Sequence, residues 1–156
     1  MLKQHEQNGI YSQKAAPRSD GKNDMDTVNN GSAHQGCPFC SKTEADMLFH
    51  SGLVFAVYDE NPVSPGHVLI CTRRHTASFF DATGEEKSEI LAAVDAVRDL
   101  LDREYRPDGY NIGVNCGEAA GQSIGHLHVH VIPRYKGDME RPKGGVRGVI
   151  PEKQGY

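Results

Sequence analysis

The sequence predicts an α+β domain: a five-stranded antiparallel sheet carrying one long helix. Three observations predict it. The apolar, β-branched runs are short, and most are joined by turns rather than helical crossovers, which suggests antiparallel pairing. Ile90, Val94, Val97 and Leu101 recur at spacings of 4, 3 and 4 and so line one helical face. The length of 156 residues is enough for a single sizeable core.

Residues 1–33 are rich in Gln, Asn, Asp, Lys, Ser and Gly, with scattered apolar residues and no period. Such a segment buries too little apolar area to offset its ordering entropy, so it is expected to be an unfolded tail. Order is expected from Cys37-Pro38-Phe39-Cys40 onward. Residues 47–50 and 53–59 read as strands joined at Ser51-Gly52. The prolines and glycine of Asn61-Pro62-Val63-Ser64-Pro65-Gly66 make a turn, and 67–71 is a third strand. Thr83 with Glu86 three residues later fits a capping box at the helix start. Leu91, Leu100 and Tyr105 widen the apolar stripe, and Pro107 with Asp108-Gly109 closes the segment. Residues 110–115 form a fourth strand, 116–125 a small-residue loop with three glycines, and 126–132 a fifth strand ending at Pro133. The domain proper is taken as 34–137. The remainder, 138–156, is basic and rich in Gly and Pro, and is expected to run over the surface of the same domain as coil.

Composition limits the function. With 17 basic and 21 acidic residues the net charge is −4, which argues against a nucleic-acid partner or an anionic membrane surface. No apolar run approaches the roughly 20 residues of a membrane span. The first residues lack the apolar core of an export signal, and four cysteines are too few for a disulfide scaffold, so a reduced cytoplasm is expected.

The chemistry concentrates in Gly121-Gln122-Ser123-Ile124-Gly125-His126-Leu127-His128-Val129-His130-Val131-Ile132. Alternate side chains of a strand share a face, so His126, His128 and His130 are expected on one side and Leu127, Val129 and Val131 in the core. On a straight strand the outer two imidazoles would be about 13 Å apart, too far to close on one metal ion. A merely polar edge strand has no need of three histidines in strict alternation. Catalysis remains, because neutral imidazole attacks phosphorus well and can then leave. The glycine loop before the strand could offer N–H groups to an anion.

His-x-His-x-His followed by two apolar residues, preceded by Gly-Gln-Ser, resembles the histidine triad (HIT) family. Pro65-Gly66-His67-Val68-Leu69-Ile70 upstream is similar to the family too, and the likeness runs from Cys37 to Tyr135. The resemblance implies a five-stranded antiparallel sheet with a long helix, usually paired as a homodimer. It implies hydrolysis or transfer at the α-phosphate of a nucleotide, with no organic cofactor. By position, His128 would be the nucleophile that becomes nucleotidylated, and His130 would contact the phosphate. His67 would be the upstream active-site histidine, and Asp59 would hold the ribose hydroxyls. Asn115, Gln122 and Ser123 would lie against phosphate or leaving group, with Ser123 aiding departure. A dinucleoside polyphosphate of the diadenosine tetraphosphate kind is the expected substrate, and Arg134, Arg141, Lys143 and Arg147 could steer it. A nucleoside phosphoramidase is the alternative within the family, and a non-catalytic nucleotide-binding zinc module the alternative outside it.

Taken alone, Cys37-x-x-Cys40 is consistent with a zinc knuckle, a redox pair or two structural thiols. A redox pair normally follows a strand and opens a helix, whereas a polar tail precedes this one. The resemblance supplies the missing ligands. Relatives with such a pair use the histidine after the third strand and the first triad histidine, here His75 and His126. Together these imply one closed, structural Cys2His2 zinc per chain, forming an N-terminal knuckle. Cys71 and Cys116 are expected inside strands.

Overall fold

The computed structural model describes residues 34–155, so the expectation for residues 1–33 lies outside the described residues. Five strands form one antiparallel sheet. They are β1 (Phe49–His50), β2 (Val54–Tyr58), β3 (Val68–Thr72), β4 (Gly109–Gly113) and β5 (His128–Arg134), in the order β1-β2-β3-β5-β4. The expected α+β class is thus the observed one. The long helix α1 (Gly84–Glu104) joins β3 to β4. Its length lets β4 return on the far side of β5 rather than beside β3.

Local chemistry sets the ends of α1. The Thr83 hydroxyl accepts from the Glu86 N–H at 3.1 Å, and the Glu86 carboxylate accepts from the Thr83 N–H at 2.8 Å. Glu86 also holds the Arg74 guanidinium through two bonds of 3.0 and 2.8 Å, so the helix start grips the loop that carries His75. At the far end Tyr105 N–H returns to the Leu101 carbonyl, and Arg106 takes a left-handed φ of 50° just before Pro107. Pro107 cannot extend the helix.

The sheet buries both faces. Val54, Ala56, Val68, Ile70, Leu127, Val129 and Val131 meet Ile90, Ala93, Val97 and Leu101 of α1. The opposite face places Phe55, Val57, Leu69 and Cys71 under Phe39 and Met47 of the N-terminal segment. Strand alternation assigns His128 and His130 to this second face, opposite Cys71 and Leu69. His128 and His130 therefore lie on the face covered by the N-terminal segment, away from the helix.

Several details differ from the sequence reading. β5 begins at His128, not His126, because the chain bends through residues 124–126. It also continues through Pro133. The β3 pairing stops at Val68 opposite Val131, so β5 beyond that point has a strand neighbour on one side only, where the missing N–H of proline costs little. Leu91 is 69% exposed, since it sits about 100° round the helix from Ile90, off the stripe. Cys71 is buried in β3 as expected, but Cys116 follows the end of β4 and lies in a loop. The C-terminal segment is not plain coil: it contains two 3-10 turns, Gly145–Val149 and Pro151–Lys153.

Candidate active site and metal centre

Two groups of side chains share the second face of the sheet. The first is Cys37, Cys40, His75 and His126, whose ligand atoms all lie within 4.8 Å of one another. Cys37 Sγ is 3.3 Å and Cys40 Sγ 3.5 Å from His126 Nδ1, and Cys40 Sγ is 3.3 Å from His75 Nδ1. A tetrahedral zinc with ordinary bond lengths needs sulfur and nitrogen about 3.6 Å apart. The tautomer agrees as well. His126 Nε2 lies 2.7 Å from the Thr72 carbonyl, which can only accept, so that nitrogen carries the proton and Nδ1 turns its lone pair to the cysteines. Burial holds both His126 and His75 below the usual imidazole range, which favours the neutral, ligating form. The four residues fit a closed metal site.

The second group begins at His128, 5% exposed on β5. Its Nδ1 lies 2.7 Å from the carbonyl of His126. The same reasoning puts the proton on Nδ1 and leaves a lone pair on Nε2. Phe39 packs against the ring with centroids 5.2 Å apart, and the His130 ring is 5.1 Å away. The first triad histidine thus orients the second through its backbone while its own side chain belongs to the metal group.

His130 continues the chain of contacts. Its Nδ1 is 3.0 Å from His67 Nε2, and His67 Nδ1 is 3.3 Å from Asp59 Oδ2. These three residues also lie close enough to count as possible metal ligands. However, His67 stands between the other two, an arrangement that suits a hydrogen-bonded relay better than a chelate. Burial pushes His67 and His130 below the usual imidazole range; Asp59 opposes this at His67, while His128 and His67 add to it at His130.

Asp59, His67 and His130 open onto a cleft of about 470 Å³, whose lining also includes Asn111, Asn115, Ile112, Val63 and the C-terminal residues Val146 and Val149. Gln122, Ser123 and His128 are not part of that lining. The Gln122 side chain accepts from Gly117 N–H at 2.8 Å and donates to the carbonyls of Ala77 and Ile124 at 2.7 and 3.1 Å. It therefore braces the glycine loop. Ser123 is exposed on that loop. Sequence reasoning missed Phe39, Asn111 and the C-terminal valines. Asn111 had one readable signal, a polar residue inside an otherwise small and apolar strand. The valines had none, because their partners lie far away in the chain.

The five-stranded antiparallel sheet carries the His128–His130 pair beside four residues whose donor set fits a metal ion. The chain matches the HIT domain over residues 41–137 and belongs to that family. It is 36% identical over 115 residues to "AP-4-A phosphorylase" of Mycobacterium tuberculosis, covering 70% of this chain and 59% of that protein. It is 33% identical over 97 residues to "Bis(5'-adenosyl)-triphosphatase" of Dictyostelium discoideum, covering 62% of this chain and 65% of that one. The chain thus spans about three fifths of the length of these curated relatives. A zinc-bound histidine triad family protein from Mycobacterium smegmatis superposes with a TM-score of 0.61 at 28% identity, over 68% of this chain and 80% of that one.

Proposed function

We propose that the protein is a nucleotide hydrolase or nucleotidyl transferase acting at the α-phosphorus, with a dinucleoside polyphosphate of the diadenosine tetraphosphate kind as substrate. One observation carries the reading. His128 Nδ1–H is tied to the His126 carbonyl, so its Nε2 lone pair is available beside His130 and the Asp59–His67 pair. The names of the two curated relatives agree with this substrate class.

In the first step Nε2 of His128 attacks phosphorus, an N–P bond forms, and the P–O bond to the remaining phosphates breaks. Ser123 donates towards the departing oxygen. The positive charge left on the ring is stabilised by the Nδ1–H bond to the His126 carbonyl. Water, or another acceptor, then attacks phosphorus. The P–N bond breaks, the water proton passes to solvent, and neutral His128 is restored with its proton on Nδ1. His130 donates to phosphate oxygens, Asp59 accepts from the ribose hydroxyls, and Asn115 donates at the phosphate end. His67 orients His130, and Gln122 acts through the loop it braces. These steps call for no organic cofactor.

Zinc held by Cys37, Cys40, His75 and His126 would have no open coordination position, so its role is structural. It would fasten the N-terminal segment to the residue whose backbone orients His128. A homodimer suits this fold, because β4 is a sheet edge whose outer side offers unpaired backbone groups. Among the described residues no helix is long and apolar enough to cross a membrane.

The direct test is to mix the protein with diadenosine tetraphosphate, quench at neutral pH and record the intact mass. A transient adduct of one adenylate on His128, with release of AMP, is the expected result. Turnover without any adduct on His128 under rapid quench, or no turnover of any dinucleoside polyphosphate, overturns the reading.

A further inference from the structure

The two histidines of the metal group are not oriented alike. A histidine that ligates a metal through one nitrogen is usually fixed by a hydrogen bond from the other. His126 has such a bond, from Nε2 to the Thr72 carbonyl, and is fully buried. His75 is only half-buried, and among the described residues no hydrogen bond holds its Nε2. It has a different neighbour. The His34 ring lies against it, with centroids 4.2 Å apart and planes 34° from parallel.

The backbone puts His34 there. His34-Gln35-Gly36-Cys37 is a turn, closed by the Cys37 N–H donating to the His34 carbonyl at 3.0 Å. Gly36, its third residue, has φ 85°, a left-handed position that favours glycine. The His34 N–H donates towards the sulfur of Cys40. Both backbone groups of His34 are thus tied to the cysteines, and its ring covers part of the third ligand. His34 does not belong to the set of residues whose ligand atoms converge, so it touches the metal group without completing it.

We propose that His34 is a positioning residue for the metal centre: its ring, fixed by the turn, keeps the His75 imidazole in its ligating orientation and slows loss of the metal. The inference rests on the zinc reading above and adds the residue that governs retention. An imidazole leaves a metal by swinging away from it, and a ring packed against it forfeits contacts or must move as well. The effect reaches the reaction indirectly, because the same metal would hold His126, whose carbonyl orients His128.

The test is stopped-flow transfer of zinc from the full-length, zinc-loaded protein to an excess of a chromogenic pyridylazo chelator at neutral pH. His34→Ala should release zinc about tenfold faster than the unaltered protein, from the same starting zinc content and with the same circular dichroism. His34→Phe keeps a ring against His75 but has no donor nitrogen, and it should release zinc at the unaltered rate. The cobalt-substituted proteins should share one absorption spectrum, since His34 is not a ligand. An unchanged rate in His34→Ala overturns the proposal. So does a rate in His34→Phe as fast as in His34→Ala, or a cobalt spectrum altered by either change, because the imidazole nitrogen rather than the ring contact would then be the operative group. Unaltered protein that takes up neither metal overturns the zinc reading and this proposal together, whereas zinc that is bound but lost equally fast from His34→Ala removes the role of His34 alone.

Discussion

His128 is a residue whose chemistry is decided by one hydrogen bond. With Nδ1–H held by the His126 carbonyl at 2.7 Å, the ring cannot present the other tautomer without losing that bond. His128→Ala should cut turnover on the order of 10³-fold or more, while a fluorescent nucleotide titration should show affinity within about tenfold of the original. Normal turnover would end the nucleotidyl-histidine mechanism. A second prediction concerns pH. His67 and His130 have lowered folded values, chiefly from burial, so below their usual range the unfolded chain binds more protons than the folded one. Stability then rises with pH through that window and is lost as the pH falls below about 6.5. The melting temperature should drop on acidification from pH 7 to pH 5.5. In His67→Gln the slope should be smaller at equal zinc content, and an unchanged slope would mean that other groups carry the effect.

At the level of elements, turns decide where the site residues end up. Gly66 has φ 80°, and a Cβ there would stand 3.0 Å from the Tyr105 ring and 3.3 Å from Leu101 at the end of α1. It places His67 just before β3 while the turn packs against the end of α1. Gly66→Ala should cost about 1–3 kcal/mol, measured by urea unfolding, and should weaken nucleotide binding through His67. Arg106 is the opposite case: φ 50° is a left-handed position occupied by a side chain. Arg106→Gly should stabilise the protein by about 0.5–1 kcal/mol, since glycine is the usual residue just past a helix end. The same unfolding measurement checks it, and a loss of stability would show that the arginine side chain contributes more than its backbone strain costs.

Across the whole molecule, a metal would couple parts that secondary structure leaves separate. Cys37 and His126 are 89 residues apart in the chain, yet their ligand atoms stand 3.3 Å from each other. About one zinc per chain is expected by atomic emission after dialysis at neutral pH. Its release by a strong chelator at mildly acidic pH should lower the melting temperature and activity together. Protein that is metal-free, folded and active would remove zinc from the account. Pairing is expected at the same scale. Light scattering behind a sizing column should give twice the chain mass at micromolar concentration, and a fully active monomer would exclude an obligate dimer.

Reading residues in order was enough for the helical stripe, the Thr83–Glu86 cap, the five strands to within a few positions, and the histidine pattern that marks the family. These are local features: a period, a cap or a turn is written in residues a few positions apart. The strand order β1-β2-β3-β5-β4 also obeys general rules, but its register was not readable, because pairing energies depend on which distant strand lies opposite. The division of labour among the three histidines needed tertiary structure as well. In sequence they are equivalent members of one alternation. In space a bend before His128 sends the His126 ring to two cysteines and its carbonyl to the His128 ring. The C-terminal segment belongs to the same class. Gly144 and Gln154 look like ordinary coil residues until the chain folds back and brings them into contact, and only then do Val146 and Val149 acquire a face towards the cleft. Local propensities specify which conformation a segment takes, whereas tautomers, ligand sets and clefts follow from long-range contacts that no short stretch of chain contains.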